Sequence, residues 1–290
     1  MESKNPKIWR LTDILQWSKE YLKEKGVESP QIEAEWLLRH VLKYSRLEIY
    51  LNHNQIIDKK ERIQFKKILL ERASGIPIQY VLGYTEFMGY KIKVSPDTLI
   101  PRADTEVIVD HIFENYDNSK KLKILDLCTG SGCIAIALAM NFPNSTTSAI
   151  DISRSALKIA LANINFYKLG DRLNLIHQDI IQNQNLPGKY DIIISNPPYI
   201  SGDLYEKLDP LVKDNEPFIA LNPGIDELIF YKKIAEIAKI HLTREGKLYV
   251  EIGGGYQVSA INKIFIEKGL KNLEIIKDYI KISRGIIATG

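Results

Sequence analysis

The chain has 290 residues, enough for two domains of ordinary size. Its 45% hydrophobic and 26% charged content is that of a globular protein, and a net charge of +3 is too small to point by itself to a nucleic-acid binder. Its two cysteines, Cys128 and Cys133, make neither a disulfide framework nor a zinc cluster, so a reducing compartment is expected.

Met1–Pro6 starts no signal peptide and no apolar run approaches a membrane span, so the expected location is cytoplasmic, away from membranes. Residues 7 to about 75 read as helices only. Trp9, Ile14, Trp17, Tyr21 and Leu22 recur at helical spacing before Gly26. Ser29-Pro30 reads as an N-cap followed by proline at the first helical position, with Ala34, Leu37, Leu38, Val41 and Leu42 forming one stripe behind it. Asp58 opens a further helix carrying Ile63, Phe65, Ile68 and Leu69, which Gly75 closes. Residues 1–80 hold 15 basic and 11 acidic side chains, which suits either solvated helix faces or a domain that docks a macromolecular partner.

Residues 76–102 change character. Two short β-type runs around Met88-Gly89 predict a hairpin, and Pro96 and Pro101 restrict the chain before a helix that Asp104 or Thr105 would cap. We place a helical domain at 1–75, a hairpin linker at 76–102 and an α/β domain at 103–290. In the last, strands are expected at Leu122–Leu127, Thr146–Ile150, Leu173–His177, Asp191–Ser195 and Lys247–Ile252. Helices are expected at Cys133–Met140, Ser153–Tyr167, Asp226–Leu242 and Tyr256–Glu267. Leu273–Ile276 and Ile282–Ala288 would close the sheet as a pair. Strand–helix alternation of this kind marks a mainly parallel sheet.

Two loops of that domain carry chemistry. The first, Cys128-Thr129-Gly130-Ser131-Gly132, lets the backbone approach a ligand at a helix N-terminus. Asp151, twenty-one residues after Gly130, can accept hydrogen bonds from both ribose hydroxyls. Gly130-x-Gly132-x-x-Ala135 also fits a nicotinamide dinucleotide site. Asp126, expected at the mouth of the loop, would repel a pyrophosphate and suits the ammonium and sulfonium of S-adenosylmethionine. Asp179 can accept from the adenine amino group, with Ile180 packing on the ring; Asp179 also reads as an ordinary cap. The second loop is Asn196-Pro197-Pro198-Tyr199, after the β-branched run ending at Ser195. Neither proline can continue a central ladder, so the chain is rigid where it leaves the sheet. The Asn196 amide oxygen, the Pro197 carbonyl and the Tyr199 ring suit a planar –NH2 group whose nitrogen is directed at an electrophile. The five histidines show no metal-ligand spacing, and no metal is expected.

With both loops placed, the chain resembles the class I S-adenosylmethionine-dependent methyltransferases, and more closely the HemK/PrmC family of peptide chain release factor glutamine methyltransferases. The most specific parts are Gly75–Gly83, Glu86-Phe87 and Leu99–Glu106, with Lys277-Asp278 and Arg284–Ile287 near the end. The resemblance implies a helical domain that docks the release factor, a hairpin linker and a Rossmann-like seven-stranded methyltransferase sheet. It also implies methylation of the glutamine in the factor's Gly-Gly-Gln loop, leaving S-adenosylhomocysteine. By motif match, Cys128–Gly132, Asp151 and Ile180 would contact the cofactor, and Asn196–Tyr199 would hold the glutamine, Asn196 lying against the cofactor as well. Cys128 stands where the family usually has glycine, and Ile180 where an aromatic is common. Cysteine at that position also resembles sister enzymes that methylate a glutamine of a large-subunit ribosomal protein.

A rival from another class is an enzyme methylating an exocyclic adenine nitrogen, with the base flipped onto the aromatic ring. Ser201–Leu221 bears Asp203, Glu206, Asp209, Asp214 and Glu216 against Lys207 and Lys213, a poor surface for phosphates, so no DNA partner is expected. A module that only senses the cofactor leaves the intact Asn196–Tyr199 loop without a role. Nothing suggests a symmetric apolar patch, so a monomer is expected.

Overall fold

Leu11, Ile14, Ser18 and Leu22 make the buried face of α1 (Leu11–Glu24) in a computed structural model that describes residues 8–290. Ser18 is tolerated there because its hydroxyl donates to the Ile14 carbonyl at 2.6 Å. The expected stripe Ala34–Leu42 is the buried face of α2 (Pro30–Leu42), which packs between α1 and α4 (Lys59–Ala73). Asp58 caps α4 reciprocally with Glu61, as expected of an acid at that position. Other expectations change. Pro30 does occupy the first turn of α2, but the Ser29 side chain makes no cap. Ile63 is 61% exposed, so Phe65, Ile68 and Leu69 carry the core of α4 without it. Trp17 lies on the rim of α1, its ring stacked on Tyr21 at 5.4 Å between centroids. Two short helices went unanticipated, α3 (Arg46–Leu51) and α5 (Ile78–Leu82). The first compact unit ends at Gly83.

The second unit runs from Tyr84 to Gly290 and begins with the expected hairpin. Strands β1 (Tyr84–Phe87) and β2 (Tyr90–Lys93) meet at Met88 and Gly89, both at positive φ (50° and 75°), as a type I′ turn requires. The stretch 76–102 is therefore divided at Gly83, with α5 in the first unit and the hairpin in the second. Within that second unit the hairpin is held by Asn163, whose side chain accepts from the Lys93 N–H and donates to the Lys93 carbonyl.

The remaining elements are α6 (Ala103–Asn115), β3 (Lys123–Leu127), α7 (Cys133–Asn141), β4 (Thr146–Asp151), α8 (Arg154–Phe166), β5 (Leu173–His177) and β6 (Tyr190–Ser195). Three one-turn helices follow, α9 (Gly202–Tyr205), α10 (Pro210–Lys213) and α11 (Phe218–Leu221). The chain ends with α12 (Ile229–His241), β7 (Leu242–Glu251), α13 (Val258–Glu267), β8 (Lys271–Lys277) and β9 (Ser283–Thr289). The seven strands lie in the order β5-β4-β3-β6-β7-β9-β8, parallel except for β9, which is antiparallel to both neighbours. This is the α/β, mainly parallel seven-stranded sheet that the sequence leads one to expect. Ile124, Leu125, Leu127 and Ile192–Ile194 are buried in its middle, each side chain contributing roughly 1.5–3 kcal/mol.

Several ends differ from expectation for local reasons. Asp226 turns back on the Leu228 N–H, so α12 starts at Ile229. β7 begins five residues early, at Leu242, through the polar stretch Thr243–Gly246. A Cβ at Gly246 would sit 2.8 Å from the Tyr190 carbonyl, so only glycine fits that close approach. Arg102, not Asp104 or Thr105, is the N-cap residue of α6. The chain goes from β3 outward to β4 and β5, then crosses back to β6. Ligands in open α/β sheets bind at such a switch point, beyond the carboxyl ends of the strands. Both chemistry-bearing loops leave the sheet there.

Candidate active site

Leu127 of β3 is paired with Ser195 of β6, so Cys128 and Asn196 emerge side by side. Between these loops lies a cavity of about 420 Å³, the size of a small-molecule site. Cys128, Gly130, Asp151, Asp179, Ile180, Asn196 and Pro198 line it. Residues 97–99 and 217–220 form further wall, which the sequence did not reveal. Asp126, Thr129, Ser131, Gly132, Pro197 and Tyr199 are not in that wall.

The glycine loop is shaped by three residues in the left-handed region, Cys128 (φ 61°), Gly130 (φ 54°) and Gly132 (φ 80°). Gly132 is also a close approach, since a Cβ there would lie 3.2 Å from the Ala160 Cβ on α8. Asp151 organises the loop. Its Oδ2 accepts from the Gly130 N–H and its Oδ1 from the Ser153 N–H, both at 2.8 Å. A carboxylate has about four acceptor positions, so two remain for a ligand. Burial raises the Asp151 pKa, against the pull of those backbone donors. Asp179 lines the cavity, and its Oδ1 accepts from the Ile181 N–H at 2.8 Å in a turn, with no helix following for it to cap. Burial pushes the Cys128 thiol up, reinforced by the Asp151 charge, so it stays protonated.

Asp126 is the main correction. It was expected at the mouth of the loop; it is fully buried, with Oδ2 accepting from the Thr129 hydroxyl at 2.6 Å and no hydrogen-bond partner at Oδ1. Burial lifts its pKa to about 7. A raised folded-state pKa means that the folded protein holds the proton more tightly, so this residue's contribution to stability is lost as pH rises from about 4 to about 7. Asp126→Asn keeps an acceptor for Thr129 without the buried charge. We expect it to raise Tm at pH 8 by at least about 2 °C, and by less at pH 5, in thermal unfolding of the ligand-free protein. A lower Tm at pH 8 would contradict this.

Asn196 is oriented by a chain of hydrogen bonds. Its Nδ2 donates to the Thr105 hydroxyl at 3.1 Å, and that hydroxyl donates to Glu251 Oε2 at 2.6 Å. With the Thr105 proton committed to the carboxylate, only its lone pair faces Asn196. The NH2 end of the amide therefore turns toward Thr105, which leaves Oδ1 as the free acceptor. Glu251 Oε1 accepts from the Tyr199 hydroxyl at 3.1 Å. Gln257 ties the loop from behind, donating to the Tyr199 carbonyl at 3.2 Å and accepting from the Gly253 N–H at 2.8 Å. Thr105, Glu251 and Gln257 were not anticipated in the site. The signal for Glu251 was present, as an acid closing the apolar run Leu248-Tyr249-Val250.

The acidic loop after Tyr199 is also less acidic at its surface than its sequence. Glu216 is buried, where Arg102 donates to its Oε1 and the Ile100 N–H to its Oε2. That pairing joins residues 97–102 to 217–220, the two outer walls of the cavity. Glu206 is paired with Lys213 at 2.5 Å. Among the described residues no three or more His, Cys, Asp or Glu are grouped to hold a metal, and no helix is long and apolar enough to cross a membrane.

The PrmC N-terminal domain matches residues 13–83, and the methyltransferase small domain matches residues 103–216. A release factor glutamine methyltransferase of Rhodopirellula baltica is 32% identical, covering 96% of this chain and 95% of its own. Its counterpart in Fusobacterium nucleatum is 38% identical (95% and 78%), and that of Bacillus subtilis 36% (92% and 93%). In solved structures the fold recurs at 20% identity in a methyltransferase from Pyrococcus furiosus, with TM-score 0.51 over 77% of this chain and 96% of the other. It recurs at 14% identity in the catalytic domain of hMettl16 in complex with an RNA hairpin, with TM-score 0.58 over 94% and 91%. On the strength of its relatives along almost its whole length, the chain belongs to the release factor glutamine methyltransferase family.

Proposed function

We propose that this protein transfers a methyl group from S-adenosylmethionine to the side-chain amide nitrogen of the glutamine in the Gly-Gly-Gln motif of class-1 peptide chain release factors. The observation that carries this is the Asn196 amide, held with its oxygen free beside a nucleoside-sized cavity. The residues present fit the cofactor. Asp151 keeps two acceptor positions for ribose hydroxyls, Asp179 stands at the next strand end for an adenine amino group, and Ile180 offers an apolar face. Cys128 and Gly130 supply the loop that the cofactor lies against, which Asp126, Thr129, Ser131 and Gly132 shape from beneath. When bound, the cofactor supplies a methyl group on a positively charged sulfur.

The protein's own part is positioning. An amide nitrogen is a poor nucleophile because its lone pair is delocalised into the carbonyl. The Asn196 Oδ1 and the Pro197 carbonyl each accept one amide hydrogen, which favours tetrahedral character at nitrogen. Tyr199 packs on the amide plane and Pro198 restricts it. Proximity and orientation then carry most of the rate, and the two acceptors stabilise positive charge growing on nitrogen. The nitrogen would gain the methyl carbon as the sulfur–methyl bond breaks to leave a neutral thioether, and would give up one hydrogen as a proton to solvent.

The test is methyl transfer from labelled S-adenosylmethionine to a purified, unmethylated release factor, with the Gly-Gly-Gln glutamine changed to alanine as control. Label on the first alone is the expected result. Label on neither, with the cofactor bound, would remove the release factor as substrate.

A further inference from the structure

We propose that Glu251 is a positioning residue for the transfer, setting through the Thr105 hydroxyl which end of the Asn196 amide faces the substrate. The inference rests on the function proposed above and adds to it a buried acid that touches neither substrate nor cofactor.

The geometry leaves few alternatives. Glu251 is 2% exposed at the end of β7, its two side-chain oxygens each taken by one hydroxyl, Tyr199 on one and Thr105 on the other. Its backbone carbonyl accepts from the Tyr231 hydroxyl at 3.2 Å, which fixes the strand end itself. While Glu251 is charged it can only accept, so the Thr105 proton must point at it and the Asn196 Nδ2 must point at Thr105. Protonation turns one carboxyl oxygen into a donor. Thr105 can then accept from Glu251 and donate its own proton to Asn196, which requires the amide to turn over. The end presented to the substrate becomes an NH2, a donor facing a donor. The relay thus has two directions, and the charge on Glu251 selects the productive one.

The surroundings put that choice in the working range of pH. Burial is the main influence raising the Glu251 pKa, to about 7, against the stabilising bonds from Thr105 and Tyr199. Of the neighbouring charges, Asp104 on α6 raises it and Arg284 on β9 lowers it. Arg284 is shared with Asp104 at 2.6 Å and Asp278 at 2.9 Å, so much of its charge is spent elsewhere. Tyr199, Tyr231 on α12 and Cys133 on α7 also face the acid; burial raises the pKa of each, so all three stay neutral. Because the folded pKa is raised, the productive, charged form is populated above about pH 7 and lost below it.

The experiment measures kcat and KM for the release factor from about pH 5.5 to 9 in wild type, Glu251→Gln, Thr105→Val and Thr105→Ser. In the same proteins, without substrate, the Asn196 side-chain amide is followed by NMR. Wild type should lose kcat on the acid side with a midpoint near pH 7, and the Asn196 amide signal should move over the same range. Glu251→Gln and Thr105→Val should lower kcat about tenfold or more, with KM within about twofold and no acid limb. Thr105→Ser, which restores the hydroxyl, should recover kcat to within about threefold of wild type and regain the limb. A wholly structural role would lower Tm and active fraction without removing the limb. A wild-type amide signal that ignores pH, or a Glu251→Gln profile that keeps the limb, overturns the inference. Should the wild type methylate no release factor, the proposed substrate fails, and the amide titration still decides the relay by itself.

Discussion

Asn196→Ala is expected to lower the turnover of methyl transfer to a release factor by about 10²–10³, the cost of removing one preorganised acceptor from a developing charge. The loss should fall on kcat, because the Pro197 carbonyl and the Tyr199 ring still bind the substrate amide. A methyl side chain at this position also strands the Thr105 hydroxyl's free lone pair, a small addition to the same cost. Asn196→Asp separates the two effects. It keeps an oxygen where Oδ1 stands, but sets a second carboxylate across Thr105 from Glu251, and one hydroxyl proton cannot serve both. Its activity should lie between wild type and Asn196→Ala and fall toward alkaline pH as both acids ionise. Steady-state kinetics with labelled cofactor measures both variants. An Asn196→Ala enzyme retaining half of wild-type turnover would defeat the role assigned to this side chain.

What the sequence disclosed and what it hid follow from the range of the interactions. The central strands β3 and β6 were readable because each carries a short buried run of Ile or Leu, and such runs announce themselves without knowledge of their neighbours. The Asn196–Tyr199 loop was readable because two prolines dictate local geometry. The glycine loop was readable for the same reason, including its departure: Cys128 takes the positive φ that glycine would adopt freely, and the chain bears that strain within a closely packed loop. The chemistry that orients Asn196 was not readable, because its parts lie 91 and 146 residues apart in pairs. Thr105 has an adequate local reading as a helix cap, and that reading hid its function; with Arg102 as the cap residue, Thr105 sits in the first turn with its hydroxyl free to bridge Glu251 and Asn196.

Burial explains the remaining differences. Glu216 is an acid in a polar-looking stretch that charge counting treats as surface, and Asp126 is an acid inside an apolar run whose end is expected to face a ligand. In the fold, Asp126 lies beneath the loop it was expected to front, and Glu216 is neutralised by Arg102 between the two walls of the cavity. The short helices α3 and α5 were missed for a different reason. Ser45-x-x-Glu48 is a legible capping box, and both of its bonds form. Yet six and five residues are too few to display a helical period, so no window could register them.

Asp151→Asn is expected to weaken cofactor binding by about 10²-fold or more while sparing turnover at saturating cofactor. Two losses combine. A carboxylate accepting from two ribose hydroxyls contributes roughly 1.5–3 kcal/mol per bond, and an amide offers a single oxygen without charge. The second loss is inside the protein: the Gly130 and Ser153 N–H groups both point at this side chain, so the new NH2 must face one of them, donor against donor. The Gly130 side of the loop then loses the anchor that holds it open to the cavity. Asp151→Glu should weaken binding less, since it keeps the charge and four acceptor positions and only displaces them by a methylene. Calorimetric titration with S-adenosylhomocysteine reads this without turnover, and Gly130 amide exchange reports the loop separately. If the Asn variant bound within about threefold of wild type, the ribose would have to be held by other residues. If binding fell with the Gly130 amide still protected, the loss would lie in the ligand bonds alone.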